Sequence, residues 1–302
     1  MKNLLLILLT SLLSLTSAHG ARSFSIGEKS ATPGSLVVFP IELDHAGGFA
    51  SIALQLNYDP QILEFLGFST GAGLGSQFES ISFAADGVAN LIWTRPSDLT
   101  SGTGCLGLVS FRVNDGAEVG STTSLAISDV EAGDETGVIA FSLSETIAVE
   151  AGLLSIVAQP TDTDLDGMPD DWEMLHSLNH LVPSGNLDSD HDGRSDLLEY
   201  ALGGNPRKAD SGSDPFVAFV AVDDEDFLTL RFGRRRDGQL LYQVWESDSL
   251  GLWEEVDLVS RLMELPQDLG DGLESVTVRS RFKKSGDGSS PKGFMKLEVT
   301  QP

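Results

Sequence analysis

The chain writes the same ladder of acids twice. Residues 162–173 read Asp-Thr-Asp-Leu-Asp-Gly-Met-Pro-Asp-Asp-Trp-Glu, and residues 188–199 read Asp-Ser-Asp-His-Asp-Gly-Arg-Ser-Asp-Leu-Leu-Glu. Both fill every fixed position of a twelve-residue calcium loop: acids at one, three and five, Gly at six, Glu at twelve. The spacing predicts Asp162, Asp164 and Asp166 around one point, and Asp188, Asp190 and Asp192 around another. Gly167 and Gly193 allow the sharp turn, and the carbonyls of Met168 and Arg194 fall at position seven. Asp170 and Asp196 stand at position nine, where a water often mediates, and Glu173 and Glu199 close the loops with both oxygens. The first loop holds six acids and no base, the second five acids and Arg194, a combined charge of −10. Carboxylates packed so closely repel unless a cation sits among them. Two Ca²⁺ ions are therefore expected, with Mg²⁺ second because it prefers a tighter octahedron.

Each loop runs into a short amphipathic segment. Trp172, Leu175 and Leu178 form one apolar stripe behind Pro169; Leu197, Leu198, Ala201 and Leu202 form another, stopped by Gly203-Gly204-Asn205-Pro206. Neither helix is long enough to stand alone, so ion binding and packing are expected to fold the pair together.

The rest of the chain narrows the functional classes. Lys and Arg number 19 against 45 Asp and Glu, a net charge of −26 in 302 residues. That argues against nucleic acid or an anionic membrane as partner. A single Cys excludes an intramolecular disulfide framework, and Cys105 reads as a small buried strand residue. Residues 1–18 have one Lys, an apolar run over Leu4–Leu15 and the small residues Ser17 and Ala18, the pattern of a cleaved export signal. No later apolar run is long enough to span a bilayer, so a secreted or cell-surface location is expected.

Residues 23–158 carry strand signals. Ile52, Leu54, Leu56 and Tyr58 alternate with Ser51, Ala53, Gln55 and Asn57, and Leu106, Leu108 and 109–113 give another strand. Leu36–Leu43 is a third, where Pro40 argues for an edge or a bulge. Asp86-Gly87 and Asp115-Gly116 mark turns. Three landmarks in order carry a resemblance: Pro33-Gly34-Ser35 leading into Val37, Val38, Pro40 and Ile41; Leu56-Asn57-Tyr58-Asp59-Pro60 before Leu63; and Ser101-Gly102-Thr103-Gly104-Cys105-Leu106 before Val109 and Phe111. This order resembles the cohesin domain. The resemblance implies a nine-stranded jelly-roll sandwich that binds protein, usually a dockerin module on a polysaccharide-degrading enzyme.

The loop pair, over 159–207, resembles a dockerin module and also the acidic calcium repeats of thrombospondin type 3. It departs from dockerins where that family reads its partner: positions ten and eleven hold Asp171-Trp172 and Leu197-Leu198. Pro169 also lacks the N–H that paired calcium loops use to bridge each other. Calcium binding survives these departures, whereas a stiff spacer is as consistent with them as a docking plug.

Residues 214–302 form a third, small β unit, with Leu228, Leu230 and Phe232 alternating with Thr229 and Arg231. It is similar to a small β module that follows such acidic loops in exported bacterial proteins. Arg231, Arg234, Arg235, Arg236, Arg279, Arg281, Lys283 and Lys284 offer either a basic face for an acidic glycan or charged strand edges that resist aggregation.

An enzyme is not expected. His176 and His180 stand four apart, but with no intervening Glu in the zinc-protease sense and no third ligand. No nucleophile elbow or phosphate-cradling loop appears. The expectation is a mostly β, secreted, calcium-binding, non-catalytic scaffolding protein, its sandwich attaching to a dockerin-like module, a surface protein or a glycan, with a link to extracellular polysaccharide breakdown. The alternative is a carbohydrate-binding accessory protein or polysaccharide-active enzyme on a related jelly roll. An exposed aromatic row, for which Phe83, Trp93 and Phe49 are the candidates, would favour glycan; a flat aliphatic patch would favour protein.

Overall fold

The computed structural model describes residues 22–301 except 47, 71–73, 86, 100–101, 138, 143–146, 210–212, 223–224 and 285–292. The segment 1–18, where an export signal is expected, and Asp86 and Ser101 lie outside the described residues.

Period-two alternation gives strands whose alternate side chains meet in one core. In chain order these are β1 (Ser23–Ser25), β2 (Glu28–Ala31), β3 (Leu36–Ala46), β4 (Phe49–Asn57), β5 (Leu63–Ser69), β6 (Glu79–Ala85), β7 (Val88–Leu99), β8 (Gly102–Val113), β9 (Thr122–Gly133), β10 (Ile139–Ser142), β11 (Ala148–Glu150) and β12 (Gly152–Ile156). One sheet runs β11-β1-β3-β8-β5; the other runs β2-β12-β9-β4-β7-β6, with β10 added on β9. The strands outnumber the expected nine because the first and last each break and change sheet, and because β10 is a short addition. Gly27, at φ 85°, makes the first break, and Gly152 lies so close that a Cβ there would meet Ile26 at 2.6 Å.

Ile52, Leu54 and Leu56 point inward as expected, beside Phe24, Phe39, Trp93 and Phe111. Each such side chain contributes about 1.5–3 kcal/mol over an exposed one. Trp93 donates its indole N–H to the Leu106 carbonyl at 2.9 Å, so its polar atom is satisfied in the core. Tyr58 lies past the end of β4 and packs edge-on against Phe111. Pro40 is not on an edge strand: β3 pairs β1 on one side and β8 on the other. It is tolerated because β1 reaches only Glu42–Asp44, and the register with β8 shifts just after it, between Ile41 and Glu42. Cys105 is half-buried on β8, and burial pushes its thiol up to about 12.

Beyond the sandwich come two short helices, α1 (Asp170–Leu175) and α2 (Asp196–Leu202), then seven strands: β13 (Phe216–Val222), β14 (Glu225–Arg235), β15 (Leu241–Ser247), β16 (Glu254–Val256), β17 (Gln267–Gly270), β18 (Leu273–Lys283) and β19 (Phe294–Thr300). These strands form a sheet β13-β14-β18-β17 and a sheet β16-β15-β19. Between them lies a second core of Leu230, Phe232, Val244, Val256, Val276 and Val278. It is continuous with Trp172, Tyr200, Ala201 and Leu202 of the helices and with Val38 and Leu108 on the back of the sandwich. Hydrogen bonds seal the same joint: Ser69 to the Leu262 carbonyl at 2.8 Å, Thr32 to the Asp237 carbonyl at 2.7 Å, and Gln239 to the Pro160 carbonyl at 3.0 Å. No helix among the described residues is long and apolar enough to cross a membrane.

Candidate metal loops and an open sheet face

The two ladders fold alike. In each, the first Asp folds the loop over itself: Asp162 accepts the N–H of Leu165 at 2.8 Å and Gly167 at 2.9 Å, and Asp188 accepts those of His191 at 2.7 Å and Gly193 at 2.9 Å. Position four is left-handed in both, Leu165 at φ 60° and His191 at φ 67°, and so is the glycine at position six. The turn thereby gathers Asp162, Asp164 and Asp166, and separately Asp188, Asp190 and Asp192, with one carboxylate oxygen from each within 4.8 Å of the others. These clusters could hold a metal ion.

The position-nine acids tie each loop across itself. Asp170 accepts the backbone N–H and hydroxyl of Thr163 at 2.7 and 2.6 Å, and Asp196 does the same to Ser189 at 3.0 and 2.8 Å. They brace position two across the loop, a role signalled by the Thr and Ser there. Those bonds hold the Asp170 carboxyl below the usual range.

Glu173 and Glu199 carry the clearest signal. Both are 0% exposed, and neither carboxylate oxygen of either has a hydrogen-bond partner. Both oxygens of Asp164 and one of Asp190 are likewise buried and unpartnered. A buried carboxylate without a donor is costly, and burial together with the neighbouring aspartates raises both glutamates to about 7. A hard divalent cation supplies what these oxygens lack, so the donor set fits one. Asp166 also accepts N–H groups from Ser184 and Gly185, in the segment between the loops, at 2.7 and 2.9 Å, and each loop is closed on the residue before it, Asp170 N–H to the Thr161 carbonyl at 2.9 Å and Asp196 N–H to the Leu187 carbonyl at 2.7 Å. The side chain of Met168 is buried in the second core, whereas Arg194 turns onto Asp192.

Of the expected apolar stripes, the second is inward, with Ala201 and Leu202 buried and Leu197 and Leu198 half-buried; Gly203 ends α2 at φ 83°. The first is not. The helix stops after six residues, so Leu175 is 76% exposed while Trp172 packs on Tyr200, ring centroids 5.0 Å apart. His176 lies beyond that helix with its ring tilted against Trp172, so the i, i+4 spacing with His180 is not on one helical face. The apolar side of α2 is covered by the chain's own C-terminal strands, whereas Met174 and Leu175 of α1 stay exposed. Arg235 donates to the Tyr200 carbonyl at 2.7 Å and lies over its ring at 4.3 Å; Tyr242 donates to the Ala201 carbonyl at 2.9 Å; and Tyr200 donates to Asp237.

The expected basic face is matched by acids. Arg231 pairs with Glu264, Arg236 with Asp268, Arg281 with Glu254, Lys283 with Glu225 and Lys284 with Asp226. Arg234 is buried against Glu274, and Arg279 lies over Phe227.

The sandwich's second sheet presents an outward face. Register aligns Ile81–Ile92–Ala53–Glu131 in one row and Phe83–Asn90–Gln55–Ser128 in the next. Ile81 is 61% and Phe83 56% exposed. Trp93 and Phe49, the other two aromatic candidates, are fully buried because their strand positions face the core. The aromatic row expected of a glycan platform is absent from this face among the described residues; apart from Phe83, Ile81, Ile92 and Ala53 share it with the polar Asn90, Gln55, Ser128 and Glu131.

Residues 23–157 match the family model for the cohesin domain. The fold is similar to a non-cellulosomal cohesin from the hyperthermophilic archaeon Archaeoglobus fulgidus, 23% identical, covering 46% of this chain and 93% of that one, TM-score 0.39. It is also similar to the sixth cohesin of Acetivibrio cellulolyticus scaffoldin B in complex with a mutant dockerin, 22% identical over 45% of this chain and 99% of that one, TM-score 0.38. A third likeness is to a type I cohesin–dockerin complex from Clostridium thermocellum, 13% identical over 46% and 100%, TM-score 0.39. No curated protein matches the chain. Residues 23–157 thus form a cohesin-type jelly-roll sandwich within a mostly β chain.

Proposed function

We propose that this protein is an exported, non-catalytic attachment module that takes up two calcium ions and binds a protein partner through the open sheet of its cohesin-type sandwich. The observation that carries the calcium reading is the pair of buried, unpartnered glutamates behind six clustered aspartates. Asp162, Asp164, Asp166 and Glu173 would hold one ion, and Asp188, Asp190, Asp192 and Glu199 the other; the carbonyls of Met168 and Arg194 occupy the seventh position of each loop. Calcium would supply charge neutralisation and rigidity, not chemistry on a substrate. The loop-helix segment acts as a stiff joint in this reading, since the α2 face that a docking plug would offer is buried against Arg235, Tyr242 and the rest of the second core.

Support for a protein partner comes from the exposed apolar side chains of Ile81 and Phe83, with Ile92 and Ala53 beside Ile81 in register. The back of the sandwich is covered by the C-terminal strands at Val38 and Leu108, which leaves the other sheet for a partner. Dockerin modules are the first class to test, with polysaccharide-degrading enzymes as their carriers. Biolayer interferometry of the full chain against a panel of calcium-loaded dockerins and against soluble cellulose and xylan oligosaccharides separates the classes. A dockerin response lost in Phe83→Asp and Ile81→Asp supports the reading; retained binding in both variants, or a response to the glycans alone, overturns it.

A further inference from the structure

We infer that the two metal loops are unequal and that Arg194 makes the second the weaker; this rests on the calcium reading above. The loops share their fold, their first-position turns and their bracing acids, and they differ at position seven. In the first loop that residue is Met168, with its side chain buried in the second core. The neighbouring Asp166 is oriented by three neutral donors, the N–H groups of Met168 at 3.1 Å, Ser184 at 2.7 Å and Gly185 at 2.9 Å. None adds a net charge to the site.

In the second loop the residue is Arg194, and its guanidinium turns back onto the carboxylate two residues before it. Nη2 lies 2.5 Å from Asp192 Oδ2, Nε lies 3.1 and 3.4 Å from its two oxygens, and the Arg194 backbone N–H donates to Oδ1 at 2.9 Å. Both oxygens of Asp192 are therefore already committed to a cation that cannot lose its charge. The pair is mostly buried, Arg194 at 13% and Asp192 at 9% side-chain exposure, so solvent screens it little. A fixed positive charge in contact with one ligand opposes a divalent ion on that ligand and withdraws part of the ligand's charge. Arg194 has a second partner. Nη1 lies 2.8 Å from Asp214 Oδ1 and 3.4 Å from Ser213 Oγ, just ahead of β13. Asp214 thus pulls the guanidinium away from the metal loop, and an ion entering the second site competes with Arg194 for Asp192.

The first loop then fills before the second. Titration calorimetry of the full chain with calcium should resolve a tight and a weak site, at least about tenfold apart. Arg194→Met, which copies the first loop, should tighten the weak site about tenfold and leave the tight one unchanged. Arg194→Gln should act in the same direction and serves as the check if the Met variant folds poorly. Asp214→Asn, which leaves the guanidinium wholly to Asp192, should weaken the second site by a few-fold. Asp162→Ala, which removes the carboxylate that folds the first loop, should abolish the tight step and leave the weak one, and so assigns the tight step to that loop. Two equal sites in the natural chain, or Arg194 variants whose weak step does not move, would overturn the inference while the calcium reading stands; no uptake at all would sink the calcium reading itself.

Discussion

Glu173 and Glu199 sit at the point where sequence, burial and charge meet. Each enters a helix from the twelfth position of an acidic loop, each is buried, and each has bare oxygens. Without a cation, burial first and the adjacent aspartates next raise them from the ordinary 4.5 to about 7. Below about 4.5 the folded and unfolded states both hold the proton, and nothing is lost. Between 4.5 and 7 the unfolded chain releases it while the folded one keeps it, so stability falls as pH rises and levels off above about 7. Thermal melts in EDTA should therefore show a midpoint that drops from pH 5 to pH 7.5, and Glu173→Gln with Glu199→Gln should flatten the drop. With calcium the direction reverses, because the ion takes the deprotonated form. A chelated protein whose midpoint does not decline over that window would refute the assignment. A second residue-level prediction concerns the first positions: Asp162→Ala with Asp188→Ala removes the carboxylates that fold each loop onto itself, and calorimetric calcium uptake should vanish.

Among the elements, α2 is the one that ties the acidic loops to the C-terminal strands. Gly233 on β14 allows its close approach, since a Cβ there would meet the Leu202 carbonyl oxygen at 2.5 Å. That neighbour is helix backbone and cannot rotate away. Gly233→Ala should therefore cost about 1–3 kcal/mol as an overpacked contact, read as a lower urea midpoint at unchanged slope. Wild-type stability in that variant would mean that the helix is not seated on β14. The first helix gives a contrasting lesson. Its stripe was legible as Trp172, Leu175 and Leu178, yet six residues make less than two turns: Trp172 reaches the core from the helix, Leu178 packs on it from beyond the helix end, and Leu175 is left exposed. Length decided which apolar residues were buried, and length was set by where the backbone leaves the helix at His176.

At the scale of the molecule, one apolar cluster joins the back of the sandwich, the two helices and the C-terminal sheets. The joint between sandwich and C-terminal strands also contains polar ties through Thr32, Ser69 and Gln239. Unfolding in calcium should then be cooperative, with a single calorimetric transition. In chelator the repelling carboxylates loosen the connection, and the sandwich should melt apart from the remainder in two transitions. Two separate transitions in saturating calcium would show that the shared cluster does not couple the parts. The same joint leaves the β4-β7-β6 face uncovered, and that exposure is what makes attachment through it physically available.

What the residues alone determined was periodic or local. Alternation placed Ile52, Leu54 and Leu56 in a sandwich core, and the ladders placed six aspartates and two glutamates in paired loops, because period and loop spacing are properties of adjacent chain. Tertiary structure decided everything that depends on which surfaces meet. It sent Trp93 and Phe49 inward and left Phe83 out, matched the expected basic face to acids distant in the chain, and buried the α2 face under Arg235 and Tyr242. Those outcomes rest on contacts between residues tens to hundreds of positions apart, and no local spacing encodes them.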